Sequence, residues 1–419
     1  MKFQNNIYAK FEGNKNYFIA LLDQILVSGA NFFLGIIILR YLGTETFGIF
    51  SFIWLFVLLL NSLQLSLIIN PMFSIFPKYS NKENIFYLSS VFIINFLLSI
   101  FSSIAILIII KILNNFSSIY NFQEIELYLI LVVFLLHNQI FLKKLYFCKN
   151  QYKKGFYQSI LTFLSLYTYL FYLIKNEKFT FETLFLAILI SNLVGFIYGF
   201  QFKILLNTKF NKIISVSSEN WLISKWLTLT TITQWIYSNL WQINGALYLG
   251  PYIFGIFRAC FNVANILTII FQSFDNYVPI QTTKIFKKNG KNEMKNYLEN
   301  FTKLGGFVSL CIFLMTIIFS DFILTIFYGK ELNGHNYILN LVVLTALISF
   351  FQYPAMYGLR TLSYTKPIFF SYFLSLVISI LFSNVVISMF NINGLIYGLM
   401  ITQVIIVIYI FFSFIKVCK

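Results

Sequence analysis

Residues 41–50 read Tyr-Leu-Gly-Thr-Glu-Thr-Phe-Gly-Ile-Phe, and residues 248–257 read Tyr-Leu-Gly-Pro-Tyr-Ile-Phe-Gly-Ile-Phe. Seven of the ten positions are identical, and the two stretches lie 207 residues apart in a chain of 419. This spacing, close to half of the chain, indicates an internal duplication; a chance match in a chain of biased composition is the alternative. In both copies a glycine separates two apolar runs, so each copy predicts a turn between two helices.

The apolar runs on either side of these turns determine the class of protein. Hydrophobic residues make up 59% of the chain and charged residues 11%, whereas soluble domains are about 45–50% apolar and about 25% charged. Runs of about 18 or more apolar residues are typical of membrane-spanning helices. The sequence therefore predicts an all-α integral membrane protein and excludes a soluble domain.

Turn-forming residues divide the chain into twelve predicted spans. The spans lie near residues 17–40, 47–70, 85–110, 125–147, 156–174, 182–206, 222–249, 252–279, 303–328, 336–359, 367–390 and 393–415. The separating turns include Gly43, Asn70-Pro71, Gly250-Pro251, Lys288-Asn289-Gly290 and the segment 391–394. The longest inner link, 281–302, is basic and polar, and we expect it to join two spans at the cytoplasmic surface.

The formal net charge of +16 reflects membrane topology in this interpretation. Lys and Arg concentrate on the cytoplasmic side of membrane proteins. With the N-terminus inside, alternate segments place 24 of the 30 Lys and Arg residues on the inner side. We therefore predict that both termini are cytoplasmic and that the chain has no nucleic-acid partner.

The duplication groups the spans into two sets of six in the same orientation. Both copies of the repeated stretch join an odd-numbered span to an even-numbered one on the outer side. Transporters built from parallel repeats bind their substrate between the halves. We expect two six-helix lobes, residues 1–206 and 207–419, related by a pseudo-twofold repeat around a central cavity.

Polar residues inside the spans indicate where a cavity lies, because a strongly polar group exposed to hydrocarbon is costly. Span 8 carries several on one face, and spans 1, 2 and 7 carry others. Hydrogen bonding between packed helices is the alternative interpretation. We predict that the substrate contacts Arg258, Asn262, Asn265, Gln272, Asn31, Gln234, Gln242 and Asn61. We expect Asp23 and Asp275 to couple transport to an ion, and His137 to be a hydrogen-bonded packing residue rather than a proton relay.

Motifs for nucleotide binding, zinc hydrolysis and serine nucleophiles are absent from the sequence. The four cysteines are scattered and show no metal-ligand or redox spacing. We therefore expect a protein without a cofactor or a metal, and not an enzyme.

Three stretches resemble a known family. They are Ser28-Gly29-Ala30-Asn31-Phe32, then Leu39-Arg40-Tyr41-Leu42-Gly43, then Phe47-Gly48-Ile49-Phe50; residues 274–279 are also similar to its eighth helix. The family is that of the bacterial O-antigen and polysaccharide flippases, within the multidrug/oligosaccharidyl-lipid/polysaccharide exporter (MOP) superfamily. Relatives that move cell-wall precursor carry several cations in the cavity. In this chain Arg258 is the one strong cation predicted inside the cavity, which disfavours that substrate.

The resemblance implies that spans 1, 2, 7 and 8 line the cavity and that access to it alternates. It implies a polyprenyl-diphosphate-linked oligosaccharide, of the O-antigen or capsule type, that moves from the inner to the outer leaflet of the bacterial cytoplasmic membrane. The lipid bilayer, a polysaccharide polymerase and chain-length proteins are the expected partners. Two alternatives stay open. One is a multidrug/cation antiporter of the same superfamily, in which Asp23 would be the coupling carboxylate. The other is a membrane oligosaccharide polymerase or ligase, which the short outer loops disfavour.

Overall fold

The computed structural model describes residues 2–79, 81–116, 120, 122–201, 210–274 and 278–418, and in them the chain is helical without any β-strand. This confirms the predicted all-α class. The α-helices are α1 (Lys2–Gln64), α2 (Asn70–Ile75), α3 (Asn81–Phe116), α4 (Glu126–Cys148), α5 (Tyr152–Lys175), α6 (Phe181–Gly199), α7 (Phe210–Phe274), α8 (Val278–Tyr328), α9 (Asn336–Phe350), α10 (Gln352–Thr361) and α11 (Lys366–Cys418).

Nine helical stretches of the described residues are long and apolar enough to cross a membrane. Large hydrophobic side chains are exposed along them, as lipid-facing residues must be. Phe101, Phe171 and Ile318 are examples. The chain is therefore a multi-pass membrane protein.

Three of the longest helices are interrupted by one non-helical residue each. Gly43 in α1 has φ 86° and Gly250 in α7 has φ 79°, while Asn391 in α11 has φ 52°. Positive φ is accessible to glycine without a steric penalty, so the first two positions suit their residues. All three interruptions fall where the sequence predicts a turn.

Side-chain contacts show that the chain reverses at Gly250 and at Asn391. Arg258 donates a hydrogen bond to Gln242, 16 residues earlier in α7. The hydroxyl of Ser375 donates to the carbonyl of Thr402, 27 residues later in α11. A continuous helix rises about 1.5 Å per residue, so neither contact could form without a reversal. α1, α7 and α11 thus each consist of a first and a second arm.

The predicted link 281–302 is helical, and its predicted turn at Lys288-Asn289-Gly290 coincides with a break. It belongs to α8 and is broken at Gly290, where φ is 83°. Met294 and Leu298, beyond the break, are buried against Tyr357 and Phe414. Apolar residues at helical spacing among the lysines therefore give this basic segment one buried face.

The predicted turn at Asn70-Pro71 is also wrong. The helix continues through a π-helix at Leu65–Ile69 and α2, and it ends in a 3-10 helix at Phe76–Lys78. A proline clashes with the carbonyl one turn earlier, and a π-helical turn is a common way to accommodate such a defect. Pro71 accordingly lies two residues after the end of the π-helix.

The chain packs as two compact units. Unit 1 comprises Met1–Leu34 and Ile53–Ile232, and unit 2 comprises Gly35–Phe52 and Thr233–Lys419. The core of unit 1 includes Met72, Tyr87 and Phe141. The predicted boundary at 206/207 lies outside the described residues. The count of twelve spans and the relation of two six-helix lobes stay predictions.

Candidate substrate site

The two copies of the repeated stretch contact each other inside unit 2. A Cβ atom added at Gly48 would collide with the carbonyl oxygen of Pro251, and one added at Gly255 would collide with the carbonyl oxygen of Thr44. Gly48 and Gly255 are equivalent positions of the repeat, and so are Thr44 and Pro251. The two contacts are therefore the same contact seen from each copy. The second arms of α1 and α7 therefore begin with a reciprocal, glycine-dependent contact.

Arg40, at the end of the first arm of α1, binds the carboxyl end of α8. Its Nε donates to the carbonyl of Phe327 at 2.8 Å, and a second guanidinium nitrogen donates to the carbonyl of Ile326. The hydroxyl of Thr44 donates to Glu331 at 2.7 Å. The last carbonyls of a helix lack partners within the helix and attract cations. Arg40 therefore fixes the end of α8, where Tyr328 lies.

Arg258 lies in the second arm of α7, where its side chain is partly buried. Its Nη1 donates to Oε1 of Gln242 at 2.7 Å, and its guanidinium carbon lies 5.3 Å from the ring centroid of Phe261. Its Nε is buried and has no hydrogen-bond partner among the described residues. A guanidinium has five N–H donors, so Arg258 keeps donor capacity for an anion.

Asn262 lies one helical turn beyond Arg258 and extends the same polar group. Its Nδ2 is 3.3 Å from the hydroxyl of Tyr328, to which it donates. The first arm of α1 approaches closely here, because a Cβ at Gly35 would lie 2.8 Å from Nδ2 of Asn262. The structure thus brings together three predicted substrate residues, Arg258, Gln242 and Asn262, and adds Tyr328, which the sequence did not single out.

The other predicted substrate residues are more dispersed. Gln234 is exposed on the first arm of α7, and Asn265 is partly buried on the second. Asn31 and Asn61 belong to unit 1. Asn31 is exposed, and Oδ1 of Asn61 is buried without a partner in the part of the chain that the structure describes. The side chain of Gln272 and the whole of Asp275 lie outside the described residues, so the ion-coupling role of Asp275 stays a prediction.

Asp23 forms a buried ion pair in unit 1. Nζ of Lys143 lies 3.3 Å from Oδ2 of Asp23, and Ser159 donates to Oδ1 at 2.5 Å. Lys143 also donates to Ser159 at 3.1 Å. Both oxygens of the carboxylate are therefore occupied by side chains from α4 and α5. An ion that coupled transport at Asp23 would have to displace Lys143, and that role stays a prediction.

A second polar cluster of unit 1 links α1, α3 and α4. Gln64 donates to Asn95 at 2.7 Å and to the carbonyl of His137 at 2.6 Å, and Asn95 donates to Asn138 at 3.2 Å. These amides bond to one another, as polar residues between packed membrane helices do. The imidazole of His137 is fully buried, and neither nitrogen has a partner among the described residues. The expected hydrogen-bonded histidine is thus not found.

Comparison with solved structures identifies the fold. A multidrug resistance MATE family transporter of the MOP superfamily, in an inward-facing conformation, superposes with a TM-score of 0.75 at 11% identity, over 94% of each chain. Lipid II flippase MurJ, in an inward closed conformation, gives a TM-score of 0.67 at 15% identity, over 96% of this chain and 87% of that one. The chain has the MATE-type fold.

Other comparisons agree with the MATE-type fold. Residues 227–385 match the family model MatE. A MOP superfamily transporter from Pyrococcus furiosus superposes with a TM-score of 0.63 at 10% identity, over 96% of this chain and 94% of that one. Comparison with the sequences of curated proteins finds no match. These solved relatives are transporters and a flippase, so the fold is one used for moving solutes or lipids across membranes.

Proposed function

We propose that this chain is a flippase that moves a polyprenyl-diphosphate-linked oligosaccharide from the inner to the outer leaflet by alternating access. The observation that carries the proposal is the group around Arg258. A guanidinium with unused donors lies beside the amides of Gln242 and Asn262. Guanidinium donates paired hydrogen bonds to phosphate oxygens, and amides both donate to and accept from sugar hydroxyls.

The state of Asp23 is consistent with an anionic substrate. In unit 1 the carboxylate of Asp23 is neutralised by Lys143 and hydrogen-bonded to Ser159. A site for a cationic drug needs an uncompensated acid, and at Asp23 the acid is already compensated. Arg258, by contrast, keeps an N–H donor, on Nε, that has no partner among the described residues.

The second candidate is a multidrug/cation antiporter. It is favoured by the MatE match over 227–385 and by the similarity to a multidrug resistance transporter. In that hypothesis Asp23 would bind the coupling ion after release from Lys143. Polarity can differ within this fold: the description of the Pyrococcus furiosus transporter states that reverse polarity of its binding pocket suggests a different function.

The proposal includes a place and partners. We place the protein in the bacterial cytoplasmic membrane with both termini inside. A polysaccharide polymerase and chain-length proteins would use the translocated lipid-linked repeat unit. A cell-wall precursor is disfavoured, because the resemblance implies several cavity cations for that substrate and the sequence predicts one strong cavity cation, Arg258.

Deletion of the gene tests the proposal. We expect lipid-linked repeat units to accumulate on the inner leaflet and the surface polymer to disappear. A glycosidase that reaches only the outer leaflet of intact cells then leaves the accumulated lipid uncleaved. If the precursor is instead cleaved outside while the polymer is lost, the chain acts after translocation, as a polymerase or ligase. If both surface polymer and precursor are normal while cells become sensitive to cationic dyes, the antiporter hypothesis is correct.

A further inference from the structure

A groove of about 610 Å³ lies within unit 1. Its walls are the π-helix Leu65–Ile69, the middle of α3 and residues 213–224 of α7. Ligand pockets are commonly about 300–1,000 Å³, so the groove is large enough for part of a ligand. Leu97 and Trp221 on its walls are 59% and 56% exposed, so the groove opens to the surroundings.

The walls of the groove differ in chemistry. The π-helix and α3 contribute only leucine and isoleucine side chains, among them Leu67, Ile94 and Leu98. α7 contributes Ser217, Ser218 and Ser224 as well as apolar residues. A groove that faces only lipid tails has no need of a hydroxyl-lined wall. The division therefore fits an amphiphile whose chain lies on α3 and whose polar end lies on α7.

Asn220 supplies an unused donor at the groove. Its side chain is 4% exposed, and its Oδ1 accepts a hydrogen bond from the hydroxyl of Tyr87 at 3.1 Å. Its Nδ2 has no hydrogen-bond partner among the described residues, although Asn220 is one of the lining residues. A buried donor without a partner is costly, and an acceptor oxygen on a bound molecule would satisfy it.

A cation lies on the same side of α7. At about 100° per residue, Ser217, Trp221 and Lys225 fall within about 80° of one another, and the side chain of Lys225 is exposed. Glu219 falls on the opposite side of the helix and accepts a hydrogen bond from Tyr79 at 2.5 Å. Lys225 therefore lies on the side of α7 that lines the groove, next in sequence to the lining residue Ser224, and the nearest acid on α7 faces away from it.

We propose that this groove is a first binding site for the substrate lipid, which it holds by the polyprenyl chain next to the phosphate before the lipid reaches Arg258. The isoprene units lie on Leu67, Ile94 and Leu98, while Lys225 and the α7 hydroxyls bind the phosphate oxygens. The leucine and isoleucine wall suits a hydrocarbon chain, and the serine wall with the free amide donor of Asn220 suits phosphate oxygens. This inference rests on the proposed function, because that function makes a polyprenyl lipid the substrate.

Photo-cross-linking of the purified full-length protein tests the groove without any transport step. The probe is a polyprenyl phosphate that carries a diazirine on its chain. We expect cross-links in the peptides that contain 94–98 or 213–224. Lys225→Gln should lower the yield about tenfold, because it removes a charge-assisted contact with the phosphate. Leu97→Trp should lower it by a similar factor, because the larger side chain fills the space for the hydrocarbon chain. Lys153→Gln and Leu164→Trp, at exposed positions elsewhere, are the matched controls.

Competition decides between lipid sources. Unlabelled polyprenyl phosphate should abolish cross-linking, while dioleoyl phosphatidic acid at the same concentration should leave it in place. Equal competition by phosphatidic acid, or unchanged yields in both groove variants, would overturn the inference. A wild-type protein that binds the probe in the groove but moves no oligosaccharide lipid contradicts the proposed function alone, so the two failures are distinguishable.

Discussion

At the level of single residues, the ion pair of Asp23 and Lys143 is buried, with 6% and 10% of the two side chains exposed. Removal of one partner from such a pair leaves an uncompensated charge, which costs about 3–5 kcal/mol, whereas replacement of both partners by neutral groups of similar size is often harmless. The pair is therefore a strong test of how unit 1 is held together.

We predict that Lys143→Ala lowers the thermal stability of the detergent-purified protein by an amount that corresponds to about 3–5 kcal/mol. The double variant Asp23→Asn/Lys143→Met should recover most of the loss, because no charge is then left unpaired. Lys153→Ala, at an exposed lysine, is the control and should change little. Equal melting temperatures for Lys143→Ala and Lys153→Ala would show that the pair does not stabilise the fold.

Substitution of Arg258 tests the proposed transport activity. We expect Arg258→Ala to reach normal abundance but to reduce oligosaccharide-lipid flipping by about 10–100-fold, the equivalent of a hydrogen bond to a charged group. Arg258→Lys should recover part of the activity, because an ammonium keeps the charge but loses the paired geometry. Arg360→Ala, at an exposed arginine, is the control. Full activity of Arg258→Ala at normal abundance would remove Arg258 from the site.

At the level of helices, the reciprocal contact between the second arms of α1 and α7 depends on two glycines. Gly48 faces the backbone of Pro251, and Gly255 faces the backbone of Thr44. A backbone carbonyl cannot rotate away as a side chain can, so an added methyl group must push the two helices apart. The two substitutions should therefore have similar effects, since each disturbs one half of the same contact.

We predict that Gly48→Ala and Gly255→Ala each destabilise the protein by about 1–3 kcal/mol, the usual cost of overpacking. Gly29→Ala is the control, because nothing lies within 4 Å of a Cβ at that position, and alanine is favoured over glycine in a helix by about 0.5–1 kcal/mol. Thermal unfolding of the three purified variants measures the difference. A Gly48→Ala protein as stable as Gly29→Ala would contradict the close contact.

The chain reversals could be predicted from the sequence because glycine, proline and asparagine mark them locally. Gly43, Gly250 and Asn391 all lie in predicted turns. The turn predicted at Pro71 is wrong, because a π-helix lets the helix continue past the proline. The local sequence contains no pattern that predicts a π-helix. The buried face of the basic segment 281–302 could not be predicted, because its apolar residues are spaced among lysines.

The candidate site was predicted in part. Helical periodicity groups Arg258 with Asn262 on one polar face and places Gln242 on another, and the packing of the two arms of α7 brings Gln242 to Arg258. Tyr328 could not be found in this way, because it joins them only through the packing of α8. Lys143 was counted as an inner-side cation, and its pairing with Asp23 joins residues 120 positions apart. The spacing of neighbouring residues cannot predict a pair that is so far apart in the sequence.

At the level of the whole molecule, orientation in the membrane is the first property to test. We predict that 143–155 and 281–302 are cytoplasmic and that 175–182 and 329–335 are outside. In a variant that lacks the four native cysteines, a cysteine at the exposed position 333 should react with a membrane-impermeant maleimide in intact cells. A cysteine at the equally exposed position 289 should react only after permeabilisation. The reverse pattern would contradict the orientation and the direction of transport.

The central claim is that the MATE-type fold of this chain moves an oligosaccharide lipid instead of a cationic drug. The most direct measurement compares both substrates in vesicles that contain the purified protein. One assay follows a fluorescent polyprenyl-diphosphate oligosaccharide by its accessibility to external glycosidase, and the other follows proton-driven uptake of ethidium. We predict movement of the oligosaccharide lipid that Arg258→Ala largely abolishes, and no ethidium uptake above protein-free vesicles. Ethidium uptake that requires Asp23, with no movement of the oligosaccharide lipid, would contradict the account.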